Sequence, residues 1–180
     1  MTRETAFILL NEKIQTQNLI KHCLAVEAGM KEVATYFGED EEFWGLTGLL
    51  HDLDYEDTKN DFSQHGIKTA EILQDCVPEF VLYAIKAHAS KVPAKSKMDY
   101  TLYAIDPLTG LIVASALMHP DKKLQSITVE FILRRFEERR FAAGANREQI
   151  KECEKLGLSL EQFIGLTLAG MQKINADLGL

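Results

Sequence analysis

Apolar residues recur at intervals of three and four along most of the chain, which is the period of an amphipathic α-helix. One such stripe stops at Gly38, a typical residue just beyond a helix end, and predicts a helix over about 17–37. A second stripe begins after Asp40, a favourable N-cap, and ends at the pair His51-Asp52. Because no segment alternates apolar and polar residues over a convincing length, the chain is predicted to be all-α.

The next part of the pattern predicts three more helices, separated by short breaks. The polar stretch LDYEDTKND predicts a loop, and the helices after it are expected to start at Ser63, Pro78 and Ser96. They are expected to run to about residues 76, 88 and 118. The last of them contains Pro107, which should remove one backbone hydrogen bond and bend the helix.

The C-terminal third of the chain also has helical periodicity. After the break HPDKK, helices are predicted at about 126–138, 147–156 and 160–178. The second and third begin with the capping-box spacings Asn146…Gln149 and Ser159…Gln162. A length of 180 residues suits a single domain over 1–180, with a helical core over about 18–118 and a helical extension over about 120–180.

Composition narrows the classes of partner. The chain has 46% apolar residues and a formal net charge of −7, so it can form a core but lacks the basic surface of a typical nucleic-acid binder. A small phosphorylated ligand stays compatible if metal ions supply local positive charge. The three cysteines have no CxxC spacing, and neither a signal peptide nor an apolar run of ~18 residues is evident. We therefore expect a cytoplasmic protein with reduced thiols and no membrane contact.

Five polar residues lie where the helical pattern expects apolar side chains. His22 and His88 fall on inward stripes, Asp106 lies in an almost wholly apolar helix, and His51-Asp52 end the segment GLTGLLHD. Each alone has an ordinary explanation, such as a hydrogen-bonded core histidine. Together they do not, because a buried carboxylate without a partner is costly and no Lys or Arg stands beside either aspartate. Neutral imidazoles and carboxylates coordinate divalent cations, so the set predicts a metal site.

The order H…HD…D of His22, His51-Asp52 and Asp106 resembles that of the HD-domain superfamily of metal-dependent phosphohydrolases. The strings LLHDLDYE, KAHAS and YAIDPLTGLIVA are similar to those of small bacterial stand-alone HD proteins. The resemblance covers about residues 18–118 and implies a helical bundle in which these four residues hold one metal ion. The segment FAAGANREQIKECEKLGLSLEQF resembles the C-terminal parts of those proteins, without an assigned role.

Two further histidines extend the resemblance. His65 and His88 fall between the HD pair and Asp106, where binuclear members of the superfamily carry ligands of a second metal ion. The resemblance implies that Asp52 bridges two ions, with His65 and His88 on the second. The alternative for His65 is an exposed residue in the first turn of a helix. His119 matches nothing in the family pattern and is expected at the surface.

The sequence after the HD pair departs from many relatives. It reads HDLDYEDTK where many HD proteins read HDIGK, so a lysine beside the metal site cannot be assumed. The GYP signature of the cyclic-di-GMP phosphodiesterase branch is absent, and the binuclear pattern favours the branch that hydrolyses dinucleoside polyphosphates. Asp54, Glu56 and Asp57 make the loop acidic. They are either solvated or include an acid that orients or protonates a leaving group.

The resemblance implies hydrolysis of a phosphate ester or anhydride of a nucleotide, or of a similar small metabolite, by metal-bound hydroxide. Asp52 and His51 are the predicted catalytic residues, and Asp52 is expected to orient the attacking water. The mixed N/O ligand set suits Fe, Mn, Co, Ni or Zn better than Mg or Ca. The candidates for phosphate binding are Lys91 and Lys68 near the site, and Arg139, Arg140 and Arg147 in the extension. The alternative for each of them is a plain surface charge.

Three other hypotheses stand beside this one. The first is a regulatory or ligand-binding module with a structural metal and no turnover. The second is a mononuclear 5′-nucleotidase, which needs only the four-residue site. The third is an all-α protein whose buried histidines simply form hydrogen bonds. The sequence leaves the exact substrate and the oligomeric state open.

Overall fold

The chain forms eleven α-helices and no β-strand in a computed structural model that describes residues 1–180. In chain order the helices are α1 (Arg3–Lys13), α2 (Gln17–Phe37), α3 (Glu41–Leu50), α4 (Tyr55–Thr58), α5 (Ile67–Leu73), α6 (Glu79–His88), α7 (Lys97–Met118), α8 (Val129–Glu137), α9 (Arg147–Lys151), α10 (Leu160–Lys173) and α11 (Asn175–Leu178). Two short 3₁₀ turns, Leu124–Ser126 and Glu152–Leu156, lie before α8 and after α9. The prediction of an all-α fold is confirmed.

Local capping sets the ends of the helices that the pattern located well. Gly38 ends α2 with a φ of 68°, a left-handed conformation that favours glycine. The Asp40 carboxylate accepts hydrogen bonds from two backbone N–H groups in the first turn of α3, at 2.9 and 3.1 Å. Ser96 and Asp99 form a reciprocal capping box at the start of α7. These three boundaries agree with the predicted ones.

The segment after α3 differs from its prediction. The stretch predicted as a loop contains the single turn α4, and α5 does not begin at Ser63. The Ser63 hydroxyl donates instead to Asp61 Oδ1 at 2.6 Å. Asp54 caps the start of α5 instead. Its Oδ2 accepts hydrogen bonds from the backbone N–H groups of Gly66 and Thr69 at 2.8 and 2.9 Å. A cap supplied from so far along the chain leaves no local sequence signal.

The first helix, α1, has no counterpart among the predicted elements. Its apolar residues form the continuous run AFILL, without the three- and four-residue spacing that indicates an amphipathic helix. Ala6 and Leu10 are nevertheless fully buried and pack with residues of α3 in one apolar cluster. Tertiary packing therefore stabilises a helix that the pattern alone does not predict.

Two apolar clusters make up the core, and α2 contributes to both. The larger cluster joins α2, α7 and α10 through residues such as Val26, Ile105 and Phe163. The smaller joins α1, α3, α5 and α6, with Leu10 and Leu49 among its fully buried members. The helices after residue 120 thus pack into the same core as α2 and α7.

A close helix crossing brings the end of α3 against α2. A Cβ atom at Gly48 would lie 2.9 Å from backbone atoms of Val26 and Glu27, so only glycine permits this approach. Gly48 stands one turn before His51, and α2 carries His22. The crossing therefore places the two histidines on facing helices.

Helix α7 is long and apolar enough, by length and composition, to cross a membrane. This corrects the expectation that no run of the chain approaches that length. Most of its apolar window is buried within the protein, where α7 supplies residues to the larger apolar cluster. Burial in the bundle accounts for its apolar character.

Candidate metal centre

The six predicted ligands come from separate parts of the chain and meet in one cluster. His22 lies in α2, Asp106 in α7, and His88 is the last residue of α6. His51 and Asp52 directly follow α3, and His65 directly precedes the N-cap of α5. His51, Asp52, His65 and His88 are buried, so the alternative of an exposed His65 is wrong.

The carboxylate of Asp52 lies at the centre of four imidazole rings. The Nε2 atoms of His51, His65 and His88 lie 3.5, 3.4 and 3.6 Å from its Oδ1. The Nε2 atom of His22 lies 3.7 Å from its Oδ2. All four separations are longer than a good hydrogen bond, yet all four rings direct the same nitrogen at one carboxylate.

In two of these rings the other nitrogen is held by a backbone carbonyl. Nδ1 of His51 donates to the carbonyl of Gly48 at 2.8 Å, and Nδ1 of His88 donates to the carbonyl of Ile85. A carbonyl oxygen only accepts, so the proton of each neutral ring is on Nδ1 and the lone pair is on Nε2. Both Nε2 atoms are buried and have no hydrogen-bond partner.

His65 is oriented by a carboxylate. Its Nδ1 donates to Asp54 Oδ1 at 2.7 Å, which leaves the lone pair of Nε2 facing Asp52. Burial opposes ionisation of Asp54, but hydrogen bonds from His65, Thr69 and Gly66 lower its pKa, so this carboxylate is charged near neutral pH. A carboxylate behind an imidazole is the usual arrangement around a metal-ligating histidine.

His22 is oriented by a threonine. The Thr109 hydroxyl donates to the carbonyl of Asp106 at 2.9 Å, so its oxygen accepts the Nδ1 proton of His22 at 3.2 Å. Nε2 of His22 then faces Asp106 Oδ1 at 3.2 Å. Thr109 follows Asp106 by three residues, so both lie on the same face of α7. This spacing is the signal in the sequence that could have identified Thr109 as part of the site.

These residues fit a divalent cation. Each buried nitrogen without a partner costs about 1–3 kcal/mol, and two such atoms lie beside a buried carboxylate. The ligand atoms of His22, His51 and Asp106 lie within 4.8 Å of one another, as do those of His51, Asp52 and His88. A cation between them satisfies lone pairs and carboxylates together, whereas hydrogen bonds among these groups would require an additional proton on the imidazoles.

The protonation states also suit coordination. Burial lowers the pKa of His51 to about 4. Burial opposes ionisation of Asp52, but the neighbouring imidazoles, His51 first, lower its pKa overall. For His22 and His88 burial again opposes the charged form, yet the nearby carboxylates raise the pKa. His51 is therefore neutral and Asp52 ionised near neutral pH, and a metal ion competes with protons mainly at His22 and His88.

A cavity of about 790 Å³ opens onto the cluster. It is lined by His22, Asp52, His65, His88 and Asp106, and its other lining residues are apolar, aromatic or neutral polar. No Lys or Arg lines it. Its only permanently charged side chains are therefore two carboxylates, and positive charge for an anionic ligand has to come from a bound cation or from protonated His22 and His88.

The structure does not place the predicted basic residues on this wall. Lys91 Nζ donates to the carbonyl of Phe62 at 2.7 Å and lines a neighbouring cavity, and Lys68 lines neither. Arg139 and Arg140 are exposed and lie outside the lining. Arg147 is a structural residue, whose guanidinium donates to the carbonyls of Phe136, Phe141, Ala142 and Ala145. Of the two alternatives for these residues, the exposed positions of Arg139 and Arg140 fit a plain surface charge, and none of the five side chains lines the cavity at the metal centre.

The acidic loop divides into three different environments. Asp54 is 1% exposed and holds His65, so it is not solvated, and it lies outside the cavity lining. Glu56 accepts hydrogen bonds from the backbone of Gln15 and Thr16, and Asp57 is exposed. His119, which matched no family position, lies apart from the cluster and packs against Phe131.

One supporting contact links the C-terminal part of the chain to the centre. Pro107 has no N–H to donate to the carbonyl of Tyr103, one turn earlier in α7. The side-chain amide of Gln149, in α9, donates to that oxygen at 2.8 Å. Only half of the predicted capping box forms. Asn146 caps α9, but the Gln149 side chain bonds to α7 near Asp106 instead of to the backbone of Asn146.

Comparison with known proteins agrees with this geometry. The family model described as HD domain matches residues 19–154, which include all six candidate ligands. Ribonuclease Y of Desulfotalea psychrophila (strain LSv54 / DSM 12343) is 30% identical over 95 residues, or 52% of this chain and 18% of that protein. The chain thus spans less than a fifth of the relative that it matches. No solved structure gives a significant match.

Proposed function

The chain belongs to the HD domain family, and we propose that it hydrolyses a phosphate ester or anhydride of a nucleotide or similar small phosphorylated metabolite. The observation that supports this most strongly is the convergence of four imidazole Nε2 atoms on the buried carboxylate of Asp52. Since Nδ1 of each ring already carries the proton, these groups together form a cation site.

Each side chain has a proposed task. His22, His51, Asp52 and Asp106 hold one ion, and Asp52, His65 and His88 hold a second. When bound, a divalent Fe, Mn, Co, Ni or Zn ion lowers the pKa of a coordinated water and polarises a phosphoryl oxygen. The ionised carboxylate of Asp52 accepts a hydrogen bond from the attacking water and orients it, and His51 holds the cation beside it.

The absence of lysine and arginine from the cavity wall has a direct consequence. A phosphate group that enters the cavity meets two carboxylates and no lysine or arginine. We therefore expect hydrolysis to require the metal, and metal-free protein to bind phosphate only weakly through protonated His22 and His88.

The test is hydrolysis by full-length protein that is first stripped with a chelator and then supplied with Mn²⁺, followed as p-nitrophenol from the nitrophenyl esters, phosphate from AMP and mononucleotides from the dinucleotide. The substrates are bis(p-nitrophenyl) phosphate, p-nitrophenyl phosphate, AMP and diadenosine tetraphosphate. We expect turnover only in the metal-loaded form, loss of turnover in His51→Ala, and normal turnover in His119→Ala as the matched control. Metal-loaded protein that releases nothing from any of these compounds contradicts the proposal and favours a module without turnover.

A mononuclear 5′-nucleotidase is a second candidate. It is favoured by the fact that His22, His51 and Asp106 place their ligand atoms within 4.8 Å without any contribution from His65 or His88. Near-normal rates on AMP in both His65→Ala and His88→Ala would support this candidate. Loss of activity in both variants supports the binuclear site.

The name of the relative Ribonuclease Y makes RNA a further substrate to test. The net charge of −7 and the absence of basic residues on the cavity wall weigh against a strand held by its phosphates. A short RNA oligonucleotide belongs in the panel, and we expect it to be cleaved more slowly than the small substrates.

A further inference from the structure

Two exposed aromatic side chains stand at the cavity beside the metal centre. Tyr55, in α4, and Phe62, in the loop after it, are 37% and 52% exposed, and both line the cavity that opens onto Asp52. Single exposed aromatic residues are common on protein surfaces. Two that share the rim of one cavity with a cluster of potential metal ligands form an apolar surface in a position to contact a ligand.

Both rings pack against His65. The ring centroids of Phe62 and His65 are 5.4 Å apart, and those of Tyr55 and His65 are 5.9 Å apart. The Tyr55 and Phe62 rings are 5.8 Å apart and nearly perpendicular, at 84°. Since Nε2 of His65 lies 3.4 Å from Asp52 Oδ1, one imidazole separates the aromatic pair from the centre of the cluster.

The backbone beneath Phe62 is fixed, so its ring is held at the rim. The carbonyl of Phe62 accepts hydrogen bonds from Lys91 Nζ at 2.7 Å and from the backbone N–H of His65 at 3.3 Å. On the other side, Asp61 Oδ1 accepts from the backbone N–H and the hydroxyl of Ser63. Lys91, predicted as a phosphate ligand, thus anchors the loop that carries Phe62.

We propose that Tyr55 and Phe62 form an aromatic lip that binds the planar ring of a nucleotide-like substrate whose phosphate lies at the metal centre. The inference rests on the proposed function and adds the residues that select the substrate. A cavity of about 790 Å³ is of the size that binds small molecules, and its wall offers the non-phosphate part of a ligand aromatic and neutral surface. Stacking on such side chains favours ligands that contain a planar ring over ligands that lack one. It depends little on which base the ligand carries.

The test measures binding to full-length, Mn²⁺-loaded protein by isothermal titration calorimetry, without turnover as the readout. The three probes are AMP, ribose 5-phosphate and adenosine, because the first two share a phosphate ester and differ only in the base. We expect AMP to bind about 5- to 150-fold more tightly than ribose 5-phosphate, the range that stacking of one base supplies.

Variants locate the effect. Phe62→Ala and Tyr55→Ala should weaken AMP binding until its affinity approaches that of ribose 5-phosphate. The affinity for ribose 5-phosphate itself should stay unchanged. Phe62→Leu keeps an apolar side chain without a ring and should also lose the preference. Phe80→Ala is the matched control, since Phe80 is 49% exposed but lies outside this cavity, and it should keep the preference.

The outcomes separate this inference from the proposed function. Equal affinities of the wild-type protein for AMP and ribose 5-phosphate, or a Phe62→Ala variant that weakens both alike, would overturn the aromatic lip and leave the phosphate site standing. Binding of AMP and adenosine, sensitive to Phe62, with none of ribose 5-phosphate would support the lip and contradict the phosphate site. Binding of none of the three probes overturns both.

Discussion

A hydrogen bond on Nδ1 decides which nitrogen of each site histidine faces Asp52. Two rings use backbone carbonyls for this, while His65 uses Asp54 and His22 uses Thr109. The two side-chain contacts can be removed by mutation without touching a candidate ligand. They therefore test whether the orientation of the rings matters for metal binding.

Replacing Asp54 with Asn should weaken the half of the site built around His65. An amide NH₂ group in place of Oδ2 cannot accept hydrogen bonds from the backbone of Gly66 and Thr69. At least one buried N–H therefore loses its partner, at a cost of about 1–3 kcal/mol. Metal affinity at this half should fall about 10- to 100-fold. Mn²⁺ titration and urea unfolding measure the two effects, with Asp57→Asn as the exposed control. Wild-type metal affinity in Asp54→Asn would contradict this role.

Replacing Thr109 with Val should reduce metal affinity by about tenfold while keeping the fold, since the valine keeps the shape but cannot accept the Nδ1 proton of His22. Thr101→Val is the matched control on the same helix. Its hydroxyl is buried without a hydrogen-bond partner, so its removal should leave metal affinity unchanged and stability equal or higher. Equal metal affinities of the two variants would show that the Thr109 contact is incidental.

At the scale of helices, the boundaries that could be predicted are those set by nearby residues. Gly38, Asp40 and Ser96 act within one turn of the helix end that they define, so the local pattern contains the information. The start of α5 depends on Asp54, more than ten residues earlier, and α1 depends on packing against α3. Neither contact exists until the chain has folded, which is why both elements were missed or misplaced.

The contact between α9 and α7 gives a prediction at this scale. Gln149→Ala should destabilise the protein by about 1 kcal/mol, because the carbonyl of Tyr103 loses its donor. Pro107→Ala supplies a backbone N–H for the same oxygen, so Gln149→Ala should cost less in that background. Urea unfolding of the wild-type protein, the two single variants and the double variant measures the coupling free energy between Gln149 and Pro107. Additive effects would mean that Gln149 does not compensate for the proline.

Over the whole molecule, the candidate site was more predictable than the residues that support it. His22, His88 and Asp106 stand out in the sequence because they interrupt apolar stripes, and their order with His51-Asp52 resembles a known pattern. The structure brings these residues and His65 together. The roles of Asp54, Gln149 and Lys91 depend on contacts between distant segments, so the local sequence instead suggested an acidic loop residue, a capping box and a phosphate ligand.

The site joins α2, α6 and α7 with residues next to α3 and α5, and these helices belong to both apolar clusters, so metal binding should stabilise the entire fold. A ligand at 100 times its Kd adds about 2.7 kcal/mol to the free energy of unfolding. We expect Mn²⁺ to raise the Tm of the wild-type protein and of His119→Ala, and to raise the Tm of His51→Ala clearly less, because His51 holds one of the two proposed ions. A rise of the same size in His51→Ala would place the bound ion elsewhere.

The convergence of imidazole nitrogens on Asp52 is tested most directly by anomalous diffraction from crystals of the full-length protein soaked with Mn²⁺. The expected result is an anomalous peak within bonding distance of Nε2 of His22 and His51 and of the carboxylates of Asp52 and Asp106. A second peak beside His65 and His88 would establish the binuclear form. Crystals that bind Mn²⁺ at other positions, with no peak among these side chains, would contradict the account.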